Sequence, residues 1–202
     1  MKERISFVEL SGFSACPLGR DWFYSRFGAS ATIKEVVQAL HADRNDERLA
    51  LDIRKELEAW EAWGLSQTFE IAEAAIAAGA KANVNGSSAL SAAEYSGSTK
   101  LFDLLLANGA DIHVINGEIE LACLLNFRHY AMVEHIAKRG VPIDFGDNET
   151  LHTMIRRDDE RSIKFLLEHG ADAKEGLRLA REQQNADLIK LFEDAIGSSK
   201  AR

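Results

Sequence analysis

The chain has 202 residues, 46% of them hydrophobic and 28% charged, with a formal net charge of −8. That much apolar material supports a buried core and argues against a disordered chain, while the acidic excess argues against broad, salt-driven nucleic-acid binding and permits a basic protein as partner. Two cysteines, Cys16 and Cys123, cannot build a disulfide framework, and no stretch approaches the roughly 20 apolar residues of a membrane helix, so the expected setting is cytoplasmic, without membrane contact.

The stretch from Met1 to Leu10 lacks the long apolar run of a secretory signal. Ile5-Ser-Phe-Val-Glu-Leu10 alternates weakly, as a short strand or an extended arm does. Cys16, Gly19 and Trp22 then form a short pattern ahead of the first clear helix. Ser30 to Ala42 predicts that helix, with Thr32 and Glu35 as its capping box. Glu47 to Trp63 predicts another, closed by Gly64. On it, Glu56, Glu58 and Glu61 interleave with Arg54 and Lys55, which reads as a solvated face.

From residue 66 onward a repeat takes over. Ser66 to Ala78 predicts a helix ending at Gly79, and further helices end at Gly109, Gly140 and Gly170, so the four glycines are spaced by 30, 31 and 30 residues. Each glycine suits the left-handed position that satisfies the last carbonyls of a helix. Upstream lie apolar stripes at helical spacing: Leu101, Phe102 and Leu105; Met132, Val133 and Ile136; Ile163, Leu166 and Leu167. A leucine 19 residues ahead of the glycine anchors an earlier helix in three units, at Leu90, Leu121 and Leu151. One turn on, Ala93, Leu124 and Met154 share its face. Seven residues after the leucine the first helix should break, at Gly97, Arg128-His129, Asp158-Asp159 and, in a last unit anchored by Leu177, Gln184-Asn185. Ser98 and Asp159 stand where they can cap the second helices. In a degenerate first unit, Trp60 and Trp63 take the anchor and core places.

Gly86-Ser87-Ser88-Ala89-Leu90-Ser91-Ala92-Ala93 followed by Gly109-Ala110-Asp111, and Asn148-Glu149-Thr150-Leu151-His152 followed by Gly170-Ala171-Asp172, resemble the ankyrin repeat, whose pattern is G-x-T-P-L-H-x-A and later G-A-D. The resemblance covers residues 66–196 and implies an all-α ankyrin-repeat solenoid. Residues 1–64 would be a helical cap or a separate segment, with 49–64 doubling as the first helix of the degenerate unit; 65–196 would be the repeats and 197–202 a flexible tail. Two departures stand out. The links from glycine to the next leucine are shorter than the family's, which predicts short hairpin fingers, and the prolines of the T-P-L-H turn are absent.

Ankyrin proteins bind other proteins along a concave side lined by first helices and links. The resemblance therefore implies an adaptor or inhibitor, with no cofactor, no metal and no catalysis. Carried onto this sequence, the binding positions are Tyr95 and Ser96, Asn126 and Phe127, Arg156 and Arg157, and Glu182 and Gln183. The links add Asn85, Ser87, Ile115, Asn116, Glu118, Phe145 and Asn148. Aromatics and arginine are the types enriched at binding hot spots. Phe127 and Phe145 have two placements open, outward or turned inward to fill a shortened finger. Arg156 and Arg157 read equally as contact or as solvated charge.

Two other readings remain. The pattern of Cys16, Gly19 and Trp22 resembles a small module of phage and bacterial proteins, which implies an acidic inhibitor covering the basic surface of a nucleic-acid-handling complex without touching nucleic acid itself. Alternatively the N-terminal segment carries chemistry and the repeats recruit substrate, with Cys16 as the nucleophile. Elsewhere the catalytic signals are missing: there is no His-Glu-x-x-His and no Gly-x-x-x-x-Gly-Lys. Cys123, beside Leu121 and Leu124, reads as buried and inert. His152 occupies the T-P-L-H histidine place, where the resemblance implies a structural bond to the backbone of a neighbouring repeat.

Overall fold

The computed structural model describes residues 3–49, 51–115, 117–141, 143, 145 and 148–199, and the side chains of 51, 52, 117–120, 198 and 199 are outside that description. The chain divides into two compact units, Met1–Val114 and Ile115–Arg202. Both are built almost wholly of helices, and among the described residues no helix is long and apolar enough to cross a membrane.

The first unit opens with a small antiparallel ribbon. Strand β1 (Arg4–Ser6) pairs with β2 (Ser30–Thr32), Ile5 facing Ala31. The weak alternation of the opening residues thus becomes only three residues of strand, because a helix starts at once: α1 (Phe7–Gly12) is closed by a capping box between Ser6 and Glu9. The same device ends β2. Thr32 accepts the Glu35 N–H at 3.1 Å while the Glu35 carboxylate accepts the Thr32 N–H at 2.7 Å, starting α3 (Ile33–Arg44) as predicted. Between them, α2 (Pro17–Phe27) starts with Cys16 as cap and proline in its first turn, and ends at Gly28. Ile5, Leu10, Phe23 and Ala31 form a buried cluster under this segment.

Helix α4 (Leu51–Leu65) runs straight through Gly64, so that glycine does not close it as expected; the chain turns at Ser66 and Gln67 instead. The buried face of α4 is Leu57, Glu61, Ala62 and Leu65, which corrects the anchor assignment: Trp60 and Trp63 are half-buried and lie to one side. Thr68 then caps α5 (Phe69–Ala77). After Gly79 come α6 (Val84–Tyr95) and α7 (Thr99–Ala107). Helix α4 packs on α6 and α5 packs on α7, so two helical hairpins stand in register, and α3 packs across α4 and α5.

The second unit holds three more hairpins: α8 (Gly117–Asn126) with α9 (Tyr130–Lys138), α10 (Asn148–Arg156) with α11 (Glu160–Glu168), and α12 (Ala173–Glu182) with α13 (Ala186–Ser199). Helix α10 packs on both α8 and α12. Leu121, Leu124, Leu151, Met154, Ile163 and Leu166 are fully buried, as the anchoring pattern requires. In the last hairpin the anchor Leu177 is half-buried and the sealed places go to Gly176 and Ala180. Helix α13 continues through residues 197–199, which had been read as tail; residues 200–202 lie outside the described set.

The four spaced glycines behave alike. Gly79, Gly109, Gly140 and Gly170 have φ of 103°, 93°, 87° and 102°. In each case the next residue donates its N–H back across the turn, Ala80 to Ala75 at 2.9 Å and Ala171 to Leu166 at 3.0 Å, for example. This is the left-handed helix stop that frees the chain to leave sideways. The links that follow are described in part. One becomes a 3-10 turn (Ile112–Val114), and among the described residues no strand pairing occurs in any of them. Another is a run of left-handed residues, Asn85, Gly86 and Ser87, whose buried Ser87 hydroxyl accepts the Asp111 N–H at 2.9 Å.

Candidate partner-binding surface

Within each unit the positions named as binding residues fall into two groups, one at the links and one at the corners. Phe145 and Asn148 precede or open α10, whereas Arg156 and Arg157 lie at its far end. A helix of nine residues is roughly 13 Å long at about 1.5 Å per residue. In the first unit, Asn85 and Ser87 are separated from Tyr95 and Ser96 in the same way by the body of α6.

The link group is mostly committed to the fold. Ser87 and Ile115 are buried. Phe145 is half-buried, its ring 4.7 Å from that of His169 and 6.1 Å from that of Phe165, so it has turned inward. Asn85 and Asn148 are exposed; Asn116 and the side chain of Glu118 lie outside the described residues.

The corner group is outward. In the second unit each hairpin turns through one residue in the left-handed region, Arg128, Asp158 or Gln184, with φ of 60°, 55° and 56°. The N–H of the following residue closes each corner, His129 to Leu124 at 2.8 Å, Asp159 to Met154 and Asn185 to Ala180 at 3.0 Å. Neighbouring corners are tied by side chains. Arg157 donates to the Asn126 side-chain carbonyl, and Asn185 donates to the Asp158 carboxylate at 2.9 Å. Along this ladder Asn126, Phe127, Arg156, Arg157, Glu182 and Gln183 are all exposed. Phe127 is 59% exposed, with its ring stacked on His129 at 6.1 Å. Arg156 is steadied by the Thr153 hydroxyl at 3.1 Å. In the first unit, Tyr95 and Ser96 are exposed at the α6–α7 corner, which Gly97 turns with φ of 70°.

Capping at these corners follows the predicted residues unevenly. Asp159 accepts the Ser162 N–H and hydroxyl at 3.2 and 2.9 Å. Ser98 stands at the cap of α7 without a side-chain bond to it. Ser162 also meets the Tyr130 hydroxyl at 3.1 Å, and Arg161 lies over the Tyr130 ring, so α9 and α11 are pinned side by side.

Several charged and reactive groups occupy places the sequence did not disclose. Glu61 is buried, not solvated; it holds His41 and Arg44 of α3 at 3.0 and 2.8 Å. His152 is bonded to the Glu175 carboxylate at 3.0 Å, not to backbone, and Arg178 grips the same carboxylate at 2.6 and 2.8 Å. Those bonds, that of Arg178 above all, hold Glu175 at a pKa of about 2. Cys123 is half-buried rather than sealed. Cys16 is exposed, and its sulfur accepts the Gly19 N–H at 3.3 Å, a helix-capping bond and not a link to a base.

Compared with family models, curated proteins and solved structures, the chain matches none.

Proposed function

We propose that the chain is an ankyrin-type repeat protein that recognises another protein through the exposed helix corners, acting as an adaptor or inhibitor. The observation that carries this reading is Phe127. A large ring stands 59% exposed on a corner whose neighbours are ordered by the Arg157–Asn126 bond, with Arg156 on the adjoining corner. Exposed aromatic groups beside arginine, held on a rigid scaffold, are what a binding hot spot requires. Supporting the repeat assignment are the recurring helical hairpins, their in-register packing within each unit and the four left-handed glycine stops.

The experiment compares the full chain with a Phe127→Ala, Arg156→Ala double variant. Proteins captured from native lysate are identified by mass spectrometry, and the purified partner is then titrated against both forms. Both side chains are exposed, so the variant should melt within a few degrees of the parent and bind at least tenfold more weakly. Full-strength binding by the folded variant would remove this surface from consideration. A parallel Tyr95→Ala variant asks the same of the corner in the Met1–Val114 unit.

A further inference from the structure

A partly open cavity of about 350 Å³ lies in the Met1–Val114 unit, lined by α1 to α5. Its size falls within the roughly 300–1,000 Å³ of small-molecule sites. All three tryptophans of the chain, Trp22, Trp60 and Trp63, line it, and the aliphatic wall comes mainly from α3, with Val36, Val37 and Leu40. Water is a poor occupant for such a space, because each molecule needs two to four polar partners and the wall offers few.

The polar groups define what would fit. Among the described residues no lysine, arginine or histidine lines the cavity, while Glu56 and Glu61 do. An anion would therefore meet two carboxylates, and the nearby Arg44 is already engaged by Glu61. The Glu61 carboxylate is already occupied by His41, Arg44 and the Lys81 N–H, so it does not call for a cation either. The Trp60 indole Nε1 has no hydrogen-bond partner, but it has no surface within reach of a water-sized group, so the ring meets the cavity through its carbon atoms. The Trp22 and Trp60 rings, 5.7 Å apart and tilted, present the faces and edges against which a flat ring packs well.

We propose that this cavity is a binding site for a small uncharged aromatic molecule, held by packing against the tryptophan rings and the aliphatic wall of α3. The site is independent of the corner surface and lies within one unit of the chain.

The probe is 4-bromobenzyl alcohol, one ring with one oxygen and one heavy atom, titrated into the full chain. Bromine quenches tryptophan only on contact, and every tryptophan of this chain is in the cavity wall. The expected result is a saturable loss of most of the tryptophan emission, reversed by excess unbrominated benzyl alcohol. Quenching that rises linearly without saturation, or is not reversed by the competitor, overturns the proposal. Filling the space with Ala59→Phe should abolish saturable quenching while the helical circular dichroism is kept; a folded variant that still saturates also overturns it. Trp60→Phe is the second variant, should the filled one not fold. It trims a wall shared by any aromatic occupant, so it should weaken the alcohol and acceptor-free bromobenzene alike. An unchanged affinity for both probes in the folded variant would overturn the place given to the Trp60 ring.

Discussion

The Lys81 backbone N–H is bonded to the Glu61 carboxylate at 2.9 Å, joining the chain just beyond α5 to the buried face of α4. The other donors to that carboxylate, His41 at 3.0 Å and Arg44 at 2.8 Å, come from α3. One side chain thereby fixes the last N-terminal helix to the first repeat-like hairpin and holds the link that leaves it. Removing a buried partner strands the groups it satisfied, so Glu61→Gln should cost about 2–4 kcal/mol. Glu56→Gln, on an exposed position of the same helix, should stay within about 0.5 kcal/mol. Urea unfolding of the two variants checks the pair, and equal midpoints would show that the clamp contributes nothing.

Glu61 also marks the limit of what the sequence discloses. Periodicity placed the apolar anchors Leu90, Leu121 and Leu151 correctly, since burial of a stripe is written in local spacing. It placed the glycine stops and the helix corners for the same reason. It read Glu61 as solvated because a carboxylate three residues after another looks like a charged face until α3 is seen to cover it. Phe145 was ambiguous on the same ground, its fate being set by Phe165 and His169, some 20 residues further along. The cavity left no local signal at all, because five helices combine to line it.

Gly176 of α12 packs directly against Phe192 of α13. A Cβ there would run into the ring of Phe192, which is fully buried. Aromatic rings in a sealed core have little room to shift, so Gly176→Ala should cost about 1–3 kcal/mol despite the better helix propensity of alanine. Adding Phe192→Leu to it should recover part of the loss. Thermal melts of the single and double variants form a cycle, and strict additivity would show that the two positions do not touch.

Glu175 supplies an acid-range prediction. Its hydrogen bonds with Arg178 above all hold its pKa at about 2 against an ordinary value of 4.5; desolvation, the next largest influence, opposes them, and the His152 bond adds to the lowering. The folded pKa lies below the unfolded one, so the stabilisation is complete above pH 4.5 and is lost as pH falls toward 2. Carboxyl carbon shifts followed by NMR should show Glu175 titrating near 2 in the parent and moving toward 4.5 in Arg178→Met. The stability gap between those two forms should close across the same window. A midpoint near 4.5 in the parent would mean that the Arg178 bond is not held in solution.

The corners offer the sharpest contrast between residue type and backbone. Gly97, Arg128, Asp158 and Gln184 occupy the same left-handed region, with φ of 70°, 60°, 55° and 56°, yet only the first is glycine. A residue with a Cβ carries about 1–2 kcal/mol of strain there, which glycine avoids at some cost in chain entropy. Gln184 is exposed, so Gln184→Gly should raise stability by about 0.5–1 kcal/mol, and Gly97→Ala should lower it by about 1 kcal/mol. Asp158→Gly should gain less than Gln184→Gly, since the Asp158 carboxylate also holds Asn185 across to the next corner. Melting temperatures of the three variants measure the ordering directly. A loss of stability in Gln184→Gly would show that its side chain contributes more at that corner than its backbone strain takes away.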